Sequence, residues 1–189
     1  MAMNKVIYGP SLRAEYQALF NTCEVRKERR ALVQTRVSKI KDHKERYGKI
    51  AAHIPGMPWW FVGVIHNMEC SLSFEKHLHN GDPLTARTTH VPAGQPKTGT
   101  PPFTFEQSAQ DALNTRFAGW HDWDIPGVLY RLELYNGLGY RQYHAEVKSP
   151  YLWSFTNHYS KGKYVADGKF NPNAISQQIG CAALMRYLT

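Results

Sequence analysis

The chain has 189 residues, 42% hydrophobic and 20% charged, with a formal net charge of +8. A chain of this length buries roughly 70% of its unfolded surface as one domain, so neither disulfides nor a structural metal is needed for folding. Its three cysteines, Cys23, Cys70 and Cys181, are odd in number and widely spaced, which excludes a disulfide framework and a zinc-finger pattern and marks them as reduced core residues.

No apolar run approaches the roughly 18 residues of a membrane span, and the leader MAMNKVIYGPSLRAEY contains no hydrophobic signal segment. The expected site of synthesis is therefore the cytoplasm, with any outer target reached after release. Charge is uneven: residues 1–50 carry 12 Lys and Arg against 5 Asp and Glu, and the remainder carries 11 against 10. A basic N-terminal element of this kind is attracted to polyanions such as nucleic acid, anionic lipid or cell-wall polymer.

In chain order, Ser11 is a good N-cap for a helix to about Cys23, with Leu12, Tyr16, Leu19 and Phe20 on one face. Residues 24–47 lack Gly and Pro and place Val25, Leu32, Val33, Val37, Ile40 and Tyr47 at helical spacing, which predicts one long amphipathic basic helix ended by Gly48. Ile54-Pro55-Gly56 is a stop, and Pro58 opens a helix whose Trp59, Trp60, Phe61, Val62, Val64, Ile65 and Met68 are apolar nearly all round. This is a buried central helix, and its polar groups His66, Asn67 and Glu69 crowd its last turns.

Asn80-Gly81-Asp82-Pro83 is a turn pattern, and TARTTHV alternates, so residues 71–91 predict a small β-hairpin directly after the buried helix. Thr104 and Gln107 have capping-box spacing for a helix to about Phe117. DIPGVLYRLELYN predicts a helix stopped by Gly137, part of residues 152–159 is a further helical candidate, and residues 173–188 predict a closing helix. The expectation is one mainly α domain spanning residues 1–189.

The chemistry centres on Glu69. A carboxyl flanked by apolar residues at the negative end of a helix dipole is held toward its protonated form, as a general acid for glycoside cleavage requires. Asp82 on the hairpin is the candidate second carboxylate, able to orient water or to face an oxocarbenium ion. Thr85 and Thr88 are candidate partners for water or sugar hydroxyls.

The order of features resembles the lysozyme superfamily, nearest its goose-type lysozyme and soluble lytic transglycosylase branch. Ile65-His66-Asn67-Met68-Glu69-Cys70-Ser71 resembles that branch's Glu-Ser motif at a helix end, with Cys70 intervening before Ser71. Leu134-Tyr135-Asn136-Gly137 resembles its Tyr-Asn-Ala-Gly segment. Residues 57–188 also resemble lysozyme-like proteins of phages and prophages, through HNGDPLTARTTHVPAG, LELYNGLGYR and SPYLWSFTNHYSKGKYVADGKF.

The resemblance implies an α+β lysozyme-like fold and a phage endolysin-type muramidase that cuts the β-1,4 bond after N-acetylmuramic acid, by hydrolysis or by transglycosylation to an anhydro product. It implies Glu69 as the acid and Tyr135 and Asn136 as cleft residues. The aromatic, polar segment adds Tyr151, Trp153, His158 and Tyr164 as candidate sugar contacts. Peptidoglycan is then the partner of a monomer, without cofactor, metal or specific nucleic acid, and the basic helices of residues 1–50, packed on or added to the core, contact an anionic wall or membrane surface.

Two rivals stand beside it. His66 with Glu69, and His77 with His79, suggest a zinc amidase or peptidase, although the His-Glu-x-x-His spacing is absent. A non-catalytic polyanion-binding module accounts for the basic N-terminus and leaves Glu69 unexplained.

Overall fold

The computed structural model describes residues 6–189, so the first five residues of the leader lie outside the described residues. The chain divides into two compact units, Met1–Ser38 with Asp124–Thr189, and Lys39–Trp123. The structure is mainly α, with one two-stranded antiparallel sheet among the described residues.

The unit Lys39–Trp123 is built on α3 (Lys44–Ala51), α4 (Trp59–Cys70) and α5 (Phe105–Phe117). α4 is buried on nearly every side, from Phe61 through Met68 and again at Cys70, as its all-round apolar sequence requires. It packs closely on α3 and on Ile40 of the preceding helix because Gly63 has no side chain: a Cβ there would sit 2.5 Å from Ile40 Cγ2 and 3.1 Å from Tyr47 Cε2. α5 begins with the expected capping box, Thr104 and Gln107 each bonding the other's backbone N–H. An Arg46 guanidinium bonded to Glu106 and stacked over Phe74 joins α3, α5 and the intervening chain.

The other unit holds α1 (Pro10–Asn21), α6 (Ile125–Asn136), α7 (Gly139–Tyr143), α8 (Pro150–Trp153), the strands β1 (Lys163–Ala166) and β2 (Lys169–Asn171), and α9 (Cys181–Leu188). α1 packs against α6, and α8 against α9. Asp124 caps α6 by accepting from Gly127 N at 2.9 Å. Beneath the α1–α6 contact, buried Glu133 accepts from Tyr16 Oη at 2.5 Å and from Arg141 Nε at 2.7 Å, and Arg141 also reaches Glu15.

Ser11 lies inside α1, whose N-cap is Gly9, and the helical turn expected within residues 152–159 falls at Pro150–Trp153. Three larger expected elements differ. The single helix over residues 24–47 is instead a 3-10 turn (Lys27–Arg29), α2 (Arg30–Asp42) and α3. The first break arises because Val25 forms a β-bridge with Thr156 and Arg26 N bonds Phe155 O, while the Arg26 side chain bonds the Thr156 and Tyr159 carbonyls. The second falls at His43, whose ring packs edge-on to Phe74, and Gly48 lies inside α3. Along α2 the buried stripe is Val33, Val37 and Ile40, and exposed Arg30, Lys39 and Lys41 flank it.

The closing helix covers only Cys181–Leu188. Ahead of it Asn171 Oδ1 accepts from the N–H of Asn173 and Ala174, forming a turn, and Gly180 runs so close to α8 that a Cβ would lie 2.5 Å from Leu152 O. The hairpin is also displaced. Residues 71–91 contain one bridge, Lys76 with Pro83, and the ladder ends there because Glu75 N bonds Ser73 Oγ and Leu84 O accepts from Phe103 N. The two-stranded sheet is β1–β2, turned by Asp167-Gly168 with Gly168 at φ +66°.

Candidate functional site

Glu69 is the penultimate residue of α4 and is half-buried, whereas the helix before it is buried. The helix stops abruptly: Ser71 (φ 52°) and Leu72 (φ 66°) both take left-handed backbone conformations, and Leu72 N reaches back to His66 O at 3.3 Å. Left-handed geometry without glycine costs about 1 kcal/mol or more per residue, and such costs concentrate at functional sites. The loop from Ser71 returns immediately to the helix end, where a Cβ on Gly81 would lie 2.7 Å from the Glu69 carbonyl oxygen. Structure therefore brings the turn before Asp82 onto the backbone of Glu69.

The Asp82 carboxylate organises that loop. Oδ2 accepts from Thr89 N (2.8 Å), His90 N (3.0 Å) and Asn80 Nδ2 (3.2 Å), and Oδ1 contacts His90 Nδ1 at 2.6 Å. Burial pushes its pKa up, but the N–H groups of His90 and Thr89 and the His90 ring outweigh that and hold it well below the usual carboxylate range. Thr88, also buried, donates its hydroxyl to Pro92 O and accepts from Gln95 N, while Thr85 is exposed.

The histidines of the zinc reading serve the same scaffold. His66 lies between Tyr47 Oη (2.8 Å) and Ser73 O (3.0 Å). His77 bonds Ser108 Oγ and Ala86 O, and His79 bonds Asp111, fastening the loop to α5. Among the described residues no group of three or more His, Cys, Asp or Glu is arranged to hold a metal ion. No helix among them is long and apolar enough to cross a membrane.

The remaining predicted residues belong to the unit containing α6. Asn136 ends α6 exposed and Tyr135 is buried beside it. Asn136, Tyr151 and Tyr164 come together in an open groove of about 580 Å³, joined by Tyr140, Tyr143 and the β1–β2 hairpin. Trp153 is core, 1% exposed. His158 Nε2 lies 2.8 Å from Leu19 O at the end of α1, with its ring edge-on to Trp153.

The sequence reading missed Tyr140, Tyr143 and the hairpin, although Asp167-Gly168 between YVA and KF was a detectable hairpin signal. In the groove the Tyr140 hydroxyl accepts from Tyr164 N at 3.1 Å, with the two rings edge to face at 5.2 Å. Fixed tyrosine faces with hydroxyl and amide groups at their edges can stack on a sugar ring while bonding its hydroxyls. Comparison with protein-family models, curated proteins and solved structures finds no match for this chain.

Proposed function

We propose that the protein is a peptidoglycan glycosidase of the lysozyme type, cleaving the β-1,4 bond after N-acetylmuramic acid, with Glu69 as general acid. The observation that carries this reading is the placement of Glu69: a half-buried acidic residue delivered by a buried, largely apolar helix to an end where two non-glycine residues are left-handed. Glu69 protonates the leaving glycosidic oxygen as the C1–O bond breaks. In the unit containing α6, the tyrosine groove lined by Asn136, Tyr151 and Tyr164 is a glycan-binding surface in its own right. The enzyme is made in a bacterial cytoplasm and reaches the wall after release.

The saturated hydrogen bonding of Asp82 favours the route without a second carboxylate. In that route the muramyl 6-hydroxyl attacks C1, the Glu69 carboxylate takes the hydroxyl proton, and a 1,6-anhydro end results. Glu69→Gln should lower the rate of muropeptide release at least about 10³-fold with an unchanged melting temperature. Release at the wild-type rate overturns the proposal. Mass spectrometry of the released muropeptides distinguishes an anhydro end from a reducing one.

A further inference from the structure

The groove described above is not a neutral sugar platform. Tyrosine and amide side chains line it, from Asn136, Tyr140, Tyr143 and Tyr151, but its hairpin side presents one cation and one anion, Lys163 at the start of β1 and Asp167 at the turn. Among the described residues, the ion pairs of this unit use other groups, Arg13 with Asp124, Arg141 with Glu133 and Glu15, Lys148 with Glu15, and His144 beside Glu146. The hairpin carrying the two charges is held in place. His144 stacks on Phe170 at 3.6 Å, Gly162 N bonds Ala174 O at 2.8 Å, and Tyr164 N is tied to the Tyr140 hydroxyl.

Opposite charges on one anchored hairpin select by complementarity. A polyanion gains from Lys163 and is opposed by Asp167. An N-acetylglucosamine chain offers neither charge a partner, and a muramyl residue without peptide offers Lys163 its lactyl carboxylate but Asp167 nothing. A ligand combining a sugar with a carboxylate and an ammonium group satisfies the tyrosine lining and both hairpin residues. Peptidoglycan carries that combination on its stem peptide, attached to the muramyl lactyl group. We propose that this groove binds the muramyl residue together with its stem peptide, Lys163 taking a stem carboxylate and Asp167 a stem amine. The assignment rests on the peptidoglycan reading and makes the groove a specificity site.

The test compares two soluble ligands, a disaccharide with its tetrapeptide stem and the same disaccharide stripped of peptide with its lactyl carboxylate capped as a neutral methylamide, titrated calorimetrically into the full chain carrying Glu69→Gln. The stemmed ligand should bind about tenfold or more tightly, the factor set by roughly one charge-assisted contact. Lys163→Met and Asp167→Asn, each added to that background, should bring the ratio of the two affinities toward one. Equal binding of both ligands by the parent, or a ratio unmoved in both variants, overturns the inference. Turnover of the wild-type chain on whole peptidoglycan is followed in parallel. Stem-dependent binding without turnover sinks the glycosidase reading and leaves this one standing, and turnover with stem-independent binding does the reverse. Circular dichroism of both variants guards against misfolding, because the two hairpin residues are not core.

Discussion

Asp82 shows how one residue decides between two roles. A general base needs a carboxylate oxygen open to water, and each oxygen here already faces N–H donors or a ring nitrogen. Asparagine at this position would turn an amide NH₂ toward those donors. Asp82→Asn should therefore cost about 2 kcal/mol in a urea titration while turnover, measured where the variant is folded, stays within about tenfold of wild type. A larger loss of turnover with unchanged stability returns Asp82 to the chemistry. At this scale the sequence places Glu69 at the end of a largely apolar helix, where an acid is rare and needs a reason. It could not separate Asp82 the base from Asp82 the loop organiser, since both follow from the same Asn-Gly-Asp-Pro turn and differ only in which N–H groups arrive from Thr89 and His90, seven and eight residues later. The buried Thr88 was equally opaque: its partners, Pro92 and Gln95, lie in a Gly- and Pro-rich loop without periodicity.

Elements with a local cause were readable, and those with a distant cause were not. α5 and α6 follow from their own caps, Thr104 and Asp124, and α4 from its apolar run. The breaks around α2 follow from Val25 meeting Thr156 and His43 meeting Phe74, contacts that no spacing rule encodes. The β1–β2 hairpin had a local cause in Asp167-Gly168, yet the threonine-rich alternation of residues 85–91 was the stronger lure. Its backbone groups went elsewhere. The return of the loop to the end of α4 is an element-level contact with a clear test. Gly81 sits at φ +81°, and its missing Cβ would meet the Glu69 carbonyl oxygen, which belongs to the backbone and cannot rotate aside. Gly81→Ala should cost about 2 kcal/mol or more in thermal denaturation, combining left-handed strain with a contact too short to keep. Retention of wild-type stability would mean that the loop does not rest on the helix end.

Over the whole molecule the shifted groups set the pH range in which the fold is stable. Burial pushes His66 down to about 4 from an ordinary value near 6.5, and burial also lowers His79 despite its Asp111 partner. An unfolded chain accepts those protons and the folded chain resists them, so stability is full above about pH 6.5 and declines as pH falls toward 4. For His66 alone the loss is about 3 kcal/mol. Asp82, Glu106 and Glu15, all held below their ordinary values in the fold, continue the decline below about pH 4.5 as the unfolded chain protonates first. At the other end burial raises the Cys23 and Cys70 thiols and the Tyr16 and Tyr47 hydroxyls, so stability falls again above about pH 9, where the thiols and then the hydroxyls ionise in the unfolded chain. Urea midpoints should be level from about pH 7 to 8 and drop on both sides; a midpoint unchanged between pH 7 and 4.5 would contradict the buried neutral state of His66.

The cysteines bring a practical benefit. Cys23, Cys70 and Cys181 are at most 2% exposed, and burial raises the Cys23 and Cys70 thiols to about 11 and about 12. Alkylating reagents attack thiolates, so the folded chain offers them almost nothing to react with. A cysteine introduced at an exposed position, such as Thr85 in the loop or Val165 on the hairpin, is then the one readily labelled site. A fluorophore or spin label can be attached there without first removing a native residue, and loop or hairpin can be followed separately while the wall polymer is added.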